Sequence, residues 1–140
     1  MSDRSTDVTS ERAPEPVGAF PHAKRVGTLL FLSGMGPRVR GTRDIPGVVF
    51  DSAGAVESYD IALQCRAVFD NVRAVLEDAG SSWDQIVDVT VFLTNMKKDF
   101  AVFNRVYAEC FADNQPTRTT VEVTSLPTPI AIELKVIATI

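Results

Sequence analysis

The spacing of apolar residues changes several times along this chain, and each change marks an element. Leu29 to Leu32 form a continuous apolar run that ends at Ser33-Gly34-Met35-Gly36-Pro37, which predicts a buried strand closed by a glycine turn. A short strand is expected at Val48–Phe50. Between about Ser58 and Ala79, Ile61, Cys65, Val68, Val72, Val75 and Leu76 recur at steps of three and four, with Phe69 widening the stripe. This predicts an amphipathic helix, with Gly80 as its stop. Trp83 and Ile86 lead into a strand over Val87–Leu93. A second helix is expected to begin at Asp99, read as its cap, and to bury Phe100, Phe103, Tyr107, Cys110 and Phe111. Strands at Arg118–Val123 and Ile130–Thr139 complete the pattern. Residues 1–16 are polar, with two prolines, and read as a flexible tail, so 17–140 is the expected domain.

This order predicts an α/β (α+β) fold, a mixed sheet with two helices. Two helices cover only one face of such a sheet. The strand near residue 90 is nevertheless apolar on both, with Val87, Val89 and Val91 on one side and Ile86 and Phe92 on the other. An uncovered apolar face predicts a homo-oligomer.

Composition narrows the chemistry. The chain has 140 residues, 45% of them hydrophobic, enough for one domain with a real core. A net charge of -4 argues against nucleic acid as a partner, because phosphate binding needs a basic face. No apolar run is long enough to span a membrane and no signal-peptide pattern opens the chain, so a cytoplasmic protein is expected, with no membrane partner. Cys65 and Cys110 fall at apolar helix positions and read as structural thiols. With His22 as the one histidine, no metal site is expected, and no phosphate loop suggests a cofactor.

The candidate chemistry lies near the C-terminus. Arg118 and Glu133 fall in strands of otherwise apolar and small residues. A strand arginine is costly to bury unless it meets an anion, and its planar fork matches a carboxylate. The simplest reading is a pocket that captures a small carboxylate, with Glu133 handling a proton or a water. The plainer alternatives are a structural ion pair for Arg118 and a Glu133–Lys135 pair. Glu122 shares the strand face of Arg118 and Thr120 and reads as a structural partner or an acid.

The assembled motifs resemble the RidA family (reactive intermediate deaminases, also called the YjgF family). They are Phe31-Leu32-Ser33-Gly34, Gln64 with Asn71-Val72, Asp88 to Leu93, Phe103-Asn104 with Tyr107, Pro116-Thr117-Arg118 with Val121-Glu122-Val123, and Leu126-Pro127 leading to Ile132-Glu133. The resemblance runs from about Gly18 to the C-terminus. It implies a chorismate-mutase-like fold whose sheets join in a homotrimer around a central barrel, with ligand sites between subunits. Trimers that pair into hexamers stay open. It also implies hydrolysis of enamines or imines to ketones and ammonia without a metal or organic cofactor.

Pro21 to Gly27, Ser33 to Arg38 and Ile45-Pro46-Gly47 are most similar to members that deaminate 2-aminomuconate to 4-oxalocrotonate in aromatic-compound degradation. Phe20 and Thr120 depart from the tyrosine and cysteine usual in broad-specificity members, which fits a specialised one.

For such a dicarboxylate enamine the expected roles are as follows. Arg118 grips the carboxylate beside the reacting carbon, and Glu133 activates water. Ser33 and Gly34 contact substrate or form an ordinary turn. Arg38, first in a basic loop with Arg40 and Arg43, meets the far carboxylate. His22 carries a proton or lies on the surface, Phe20 walls the cleft, and Asn104 lies near it or serves its helix. The alternatives are a general imine deaminase acting on 2-aminoacrylate and a non-catalytic trimeric carboxylate-binding regulator.

Overall fold

The computed structural model describes residues 5–140. Eight strands and two helices follow in the order β1 (Thr6–Val8), β2 (Ala23–Val26), β3 (Leu29–Leu32), β4 (Val49–Phe50), β5 (Val56–Ser58), α1 (Ile61–Asp78), β6 (Ile86–Leu93), α2 (Met96–Cys110), β7 (Thr117–Glu122) and β8 (Ile132–Thr139). Six strands form one sheet in the order β1-β2-β3-β8-β6-β7. Only β6 and β7 run parallel, joined through α2, so the sheet is mixed as expected. A β4–β5 ribbon stands apart, and its second strand escaped the sequence reading.

Both helices pack on one face. Alternate residues of β8 (Ile132, Leu134, Val136, Ala138) and of β6 (Val89, Val91, Leu93) are buried there against Cys65, Val68, Val72 and Leu76 of α1. Between the helices, Phe69 meets Trp83, Tyr107 and Phe111 edge-on, with centroids 5.7, 6.2 and 5.9 Å away. The other sheet face carries Phe31, Phe92 and Ile137 among polar residues, and no element of the described residues covers it. A register shift between Ile86 and Asp88 corrects the expected facing at the start of β6. The extra residue turns Ile86 into the core and leaves Val87 41% exposed.

Local signals set the helix ends. Asp60 caps α1 by accepting from the Leu63 amide. Gly80, at φ 85°, closes it, with Gly80 N–H bonding Glu77 O and Ser81 N–H bonding Leu76 O. The expected cap of the second helix is wrong. Asn95 caps α2 by accepting from the Lys98 amide, while Asp99 is buried in the first turn and accepts 2.6 Å from the Tyr59 hydroxyl.

The expected flexible tail is also wrong for residues 5–16; residues 1–4 lie outside the described residues. β1 adds to the sheet edge through β2, and Ser10 and Ala13 are fully buried. Several of the segment's charges are paired although they remain solvent-exposed. Arg12 pairs with Asp78 at 2.9 Å and Glu77 at 3.1 Å, and Arg40 donates to the carbonyls of Ser10 and Ala13.

No helix among the described residues is long and apolar enough to cross a membrane. Asn95→Ala should lower stability by about 1 kcal/mol in urea unfolding, through the lost cap bond. Unchanged stability would show that Asn95 does not anchor α2.

Candidate active site

The turn after β3 and the start of β8 meet in a cavity of about 170 Å³. Its lining includes Phe20, His22, Ser33, Gly34, Arg38 and Glu133, six of the residues singled out in the sequence. Glu133 pairs in register with Phe92 and so projects from the uncovered face of the sheet. Its carboxyl lies against Gly34, where an added Cβ would come within 2.9 Å of Cδ. Any larger residue would push the acid aside. Burial raises the Glu133 pKa, and among the described residues no base pairs with it. Lys135, the alternative partner, instead donates to the Leu32 carbonyl, and burial lowers its pKa.

The other residues of this cavity have defined bonds. Ser33 Oγ donates to the Pro21 carbonyl at 2.7 Å, which commits its proton. In that rotamer its lone pairs remain free to accept a hydrogen bond from water or a substrate N–H. Arg38 gives one N–H to the Glu15 carbonyl at 2.8 Å. Its loop is held by Asn71 of α1, whose amide donates to the Gly36 and Arg38 carbonyls at 2.9 Å each. Arg40 pairs with Glu15 instead, at 3.4 Å. Phe20 is 43% exposed beside the cavity.

His22 does not fit the role of proton carrier. It is 3% exposed, with Nδ1 accepting from the Ser10 amide at 3.0 Å and Nε2 bonded to the Pro14 carbonyl at 2.7 Å. Both ring nitrogens are spent on backbone. Sequence reasoning missed the segment that holds them: Pro14, Glu15, Pro16 and Val17 wall the cavity. The available signal was Pro14-Glu15-Pro16, because prolines flanking one residue restrict the chain to an extended path.

Arg118 and Asn104 lie elsewhere. They line a second cleft with Tyr107, Ala108, Phe111, Gln115 and Pro116. Arg118 pairs in register with the buried Val89 and so projects from the helix-covered face, opposite to Glu133. Its guanidinium carbon is 4.6 Å from the ring centre of Tyr107, 5.3 Å from Phe103 and 5.9 Å from Phe100. Cation–π attraction orients it, at about 0.5–2 kcal/mol for such a contact. No carboxylate of the described residues pairs with it. Glu122, its expected structural partner, accepts from the Met96 amide at the start of α2. The Tyr107 and Thr120 hydroxyls on the side of Arg118 are buried without partners among the described residues, and burial pushes the Tyr107 phenol up to about 12. Within one chain, then, the proposed carboxylate grip and the proposed base are on opposite sides of the sheet.

Cys65 is buried and Cys110 half-buried, both free, and burial raises both thiols. No cluster of metal-ligating side chains occurs among the described residues.

Known proteins match this arrangement over nearly its whole length. The Endoribonuclease L-PSP family profile covers residues 10–140. A RutC family protein of Pyrococcus abyssi (strain GE5 / Orsay) is 36% identical over 131 residues, 94% of each chain. TdcF of Escherichia coli (strain K12), provisionally named a reactive intermediate deaminase, is 34% identical over 134 residues, again 94% of each. Among solved structures, E. coli TdcF with bound serine superposes with a TM-score of 0.83 at 31% identity, covering 96% of this chain and 98% of that one. The E. coli YjgF gene product gives 0.82 at 31% identity, with the same coverage. The chain therefore belongs to the Endoribonuclease L-PSP family, the group that includes YjgF, RidA and RutC proteins.

Proposed function

We propose that this protein hydrolyses a carboxylate-bearing enamine or imine to a ketone and ammonia, with 2-aminomuconate as substrate, in a site closed by a second copy of the chain. One observation carries the reading. Among the described residues Arg118 and Glu133 each lack a counter-ion, and they border separate clefts on opposite faces of the sheet. A homotrimer that sets the Arg118 cleft of one protomer against the Glu133 cavity of the next supplies each with what it lacks. The uncovered sheet face gives the protomers a reason to associate.

The chemistry follows from the groups. Arg118 grips the carboxylate next to the nitrogen-bearing carbon with two parallel hydrogen bonds. The enamine becomes the imine by tautomerisation, taking a proton from water at carbon and losing one from nitrogen to water. Glu133 relays both water protons to nitrogen. The first moves as the water oxygen attacks the imine carbon to give a carbinolamine. The second moves as the carbinolamine O–H gives up its proton, the C–N bond breaks and ammonia leaves the ketone. A pKa raised by burial makes the carboxylate a better base than a solvated one. Ser33, with its proton committed, accepts from the water or the nitrogen. The remaining Arg38 donors offer a cation to a second carboxylate, which favours a dicarboxylate over 2-aminoacrylate.

The general imine deaminase is the second reading. It is supported by TdcF, whose name refers to reactive intermediates and whose crystal structure holds serine, a small monocarboxylate. RNA cleavage, suggested by the family's description, has less support. The one histidine is bonded through both nitrogens and the net charge is -4.

Turnover of 2-aminomuconate and 2-aminoacrylate by the purified protein separates the two deaminase readings. A clear preference for 2-aminoacrylate would exclude the dicarboxylate one. Arg118→Ala should cost about 2–5 kcal/mol in kcat/KM, measured at steady state. Glu133→Gln should leave KM near the wild-type value and lower kcat by about 10²–10⁴. The wild-type acid limb should lie above the ordinary glutamate value of about 4.3. The stability effect has the opposite sign. The folded Glu133 pKa lies above the unfolded one, so stability is full below the unfolded value and declines as pH rises through the folded one. Glu133→Gln should therefore melt higher than wild type at about pH 7, and the gain should vanish near pH 4.

A further inference from the structure

We infer that His22 is a positioning residue for this site, a latch that holds the backbone strap Ser10–Val17 in place as the wall of the Glu133 cavity. The ring directly precedes β2 and is carried by the sheet. A backbone amide can only donate and a carbonyl can only accept. Nδ1 therefore accepts from Ser10 and Nε2–H donates to Pro14, which selects one neutral tautomer. These two bonds staple the chain at two points four residues apart.

Between the staples the strap is folded on itself. Ser10 Oγ accepts from the amides of Arg12 and Ala13 at 3.1 Å each and donates to Asp78 Oδ2 at 2.7 Å. Arg40 adds bonds to the Ser10 and Ala13 carbonyls at 3.1 and 2.7 Å. Beyond the second staple, Pro14 to Val17 line the cavity, and the Glu15 carbonyl accepts from Arg38. Displacing the strap would open a wall of the cavity and release Arg38 together. The apolar ring contacts alone could not do this work, because the two strap groups are buried backbone dipoles that need a donor and an acceptor at a set separation. An imidazole supplies both on a rigid frame.

The link to substrate rests on the reading above, in which Arg38 meets the far carboxylate. Glu133 and Arg118 are bonded to neither His22 nor the strap, so the latch acts on binding rather than on the chemical step.

The test compares wild type, His22→Phe and His22→Gln by amide hydrogen exchange and by steady-state kinetics. Phenylalanine keeps the shape and loses both bonds, whereas glutamine restores one acceptor and one donor. In His22→Phe, exchange at Ser10, Arg12 and Ala13 should quicken about tenfold or more while β8 keeps its protection. KM for 2-aminomuconate should rise about tenfold with kcat within about twofold, and His22→Gln should recover most of both. Wild-type exchange of the strap in His22→Phe overturns the latch, and so does an opened strap with unchanged KM. If wild type turns over only 2-aminoacrylate, the substrate reading fails, and the exchange arm, which needs no far carboxylate, still decides the latch. If His22→Phe does not fold, His22→Asn, too short to reach both partners, takes its place with the same expected and overturning results.

Discussion

The alternation of side chains along a β-strand constrains everything proposed for this molecule. β6 lies between β7 and β8, and its register assigns Arg118 to the face of Val89 and Glu133 to the face of Phe92. Those faces are opposite, and no rotamer change brings the two side chains together through a packed sheet. Each is left without an opposite charge among the described residues, on the border of a cleft. A partly buried guanidinium over three aromatic rings and a partly buried carboxyl against a glycine are both costly arrangements for stability alone. Two half-sites on one chain are what a composite site between copies requires.

Much of the fold was legible in the sequence, because apolar period is a strong signal where an element has one buried face. The stripe from Ile61 to Leu76 gave α1 nearly to its ends, with Gly80 as its stop. The failures have local causes. Asp99 looks like a cap by type, but its carboxylate is taken by Tyr59 while Asn95 holds the helix start. Ile86 and Val87 were assigned to the wrong faces because a bulge adds one residue and leaves no mark in a two-residue period. The N-terminal segment looked unstructured because its polar content is high, yet its charges are matched by Asp78, Glu77 and Arg40, which are far away in sequence.

The site was legible in part for the same reasons. A charged residue on an apolar strand is conspicuous, so Arg118 and Glu133 stood out, and the glycine turn after β3 marked the cavity. What sequence could not show was that they diverge, since that depends on a register set by long-range pairing. Nor could it show the partners of His22. A lone histidine is conspicuous by type, but its role depends on which groups face its nitrogens, and here both are backbone.

Mixing two inactive variants tests the composite site most directly. Arg118→Ala and Glu133→Gln protomers, unfolded together and refolded as mixed oligomers, would place an intact Arg118 cleft against an intact Glu133 cavity at about a quarter of the interfaces. The expected result is deaminase activity near that fraction of wild type, where each variant refolded alone has almost none. Mixed oligomers as inactive as their parents would contradict it, and would mean that each protomer's chemistry is confined to one face of its own sheet.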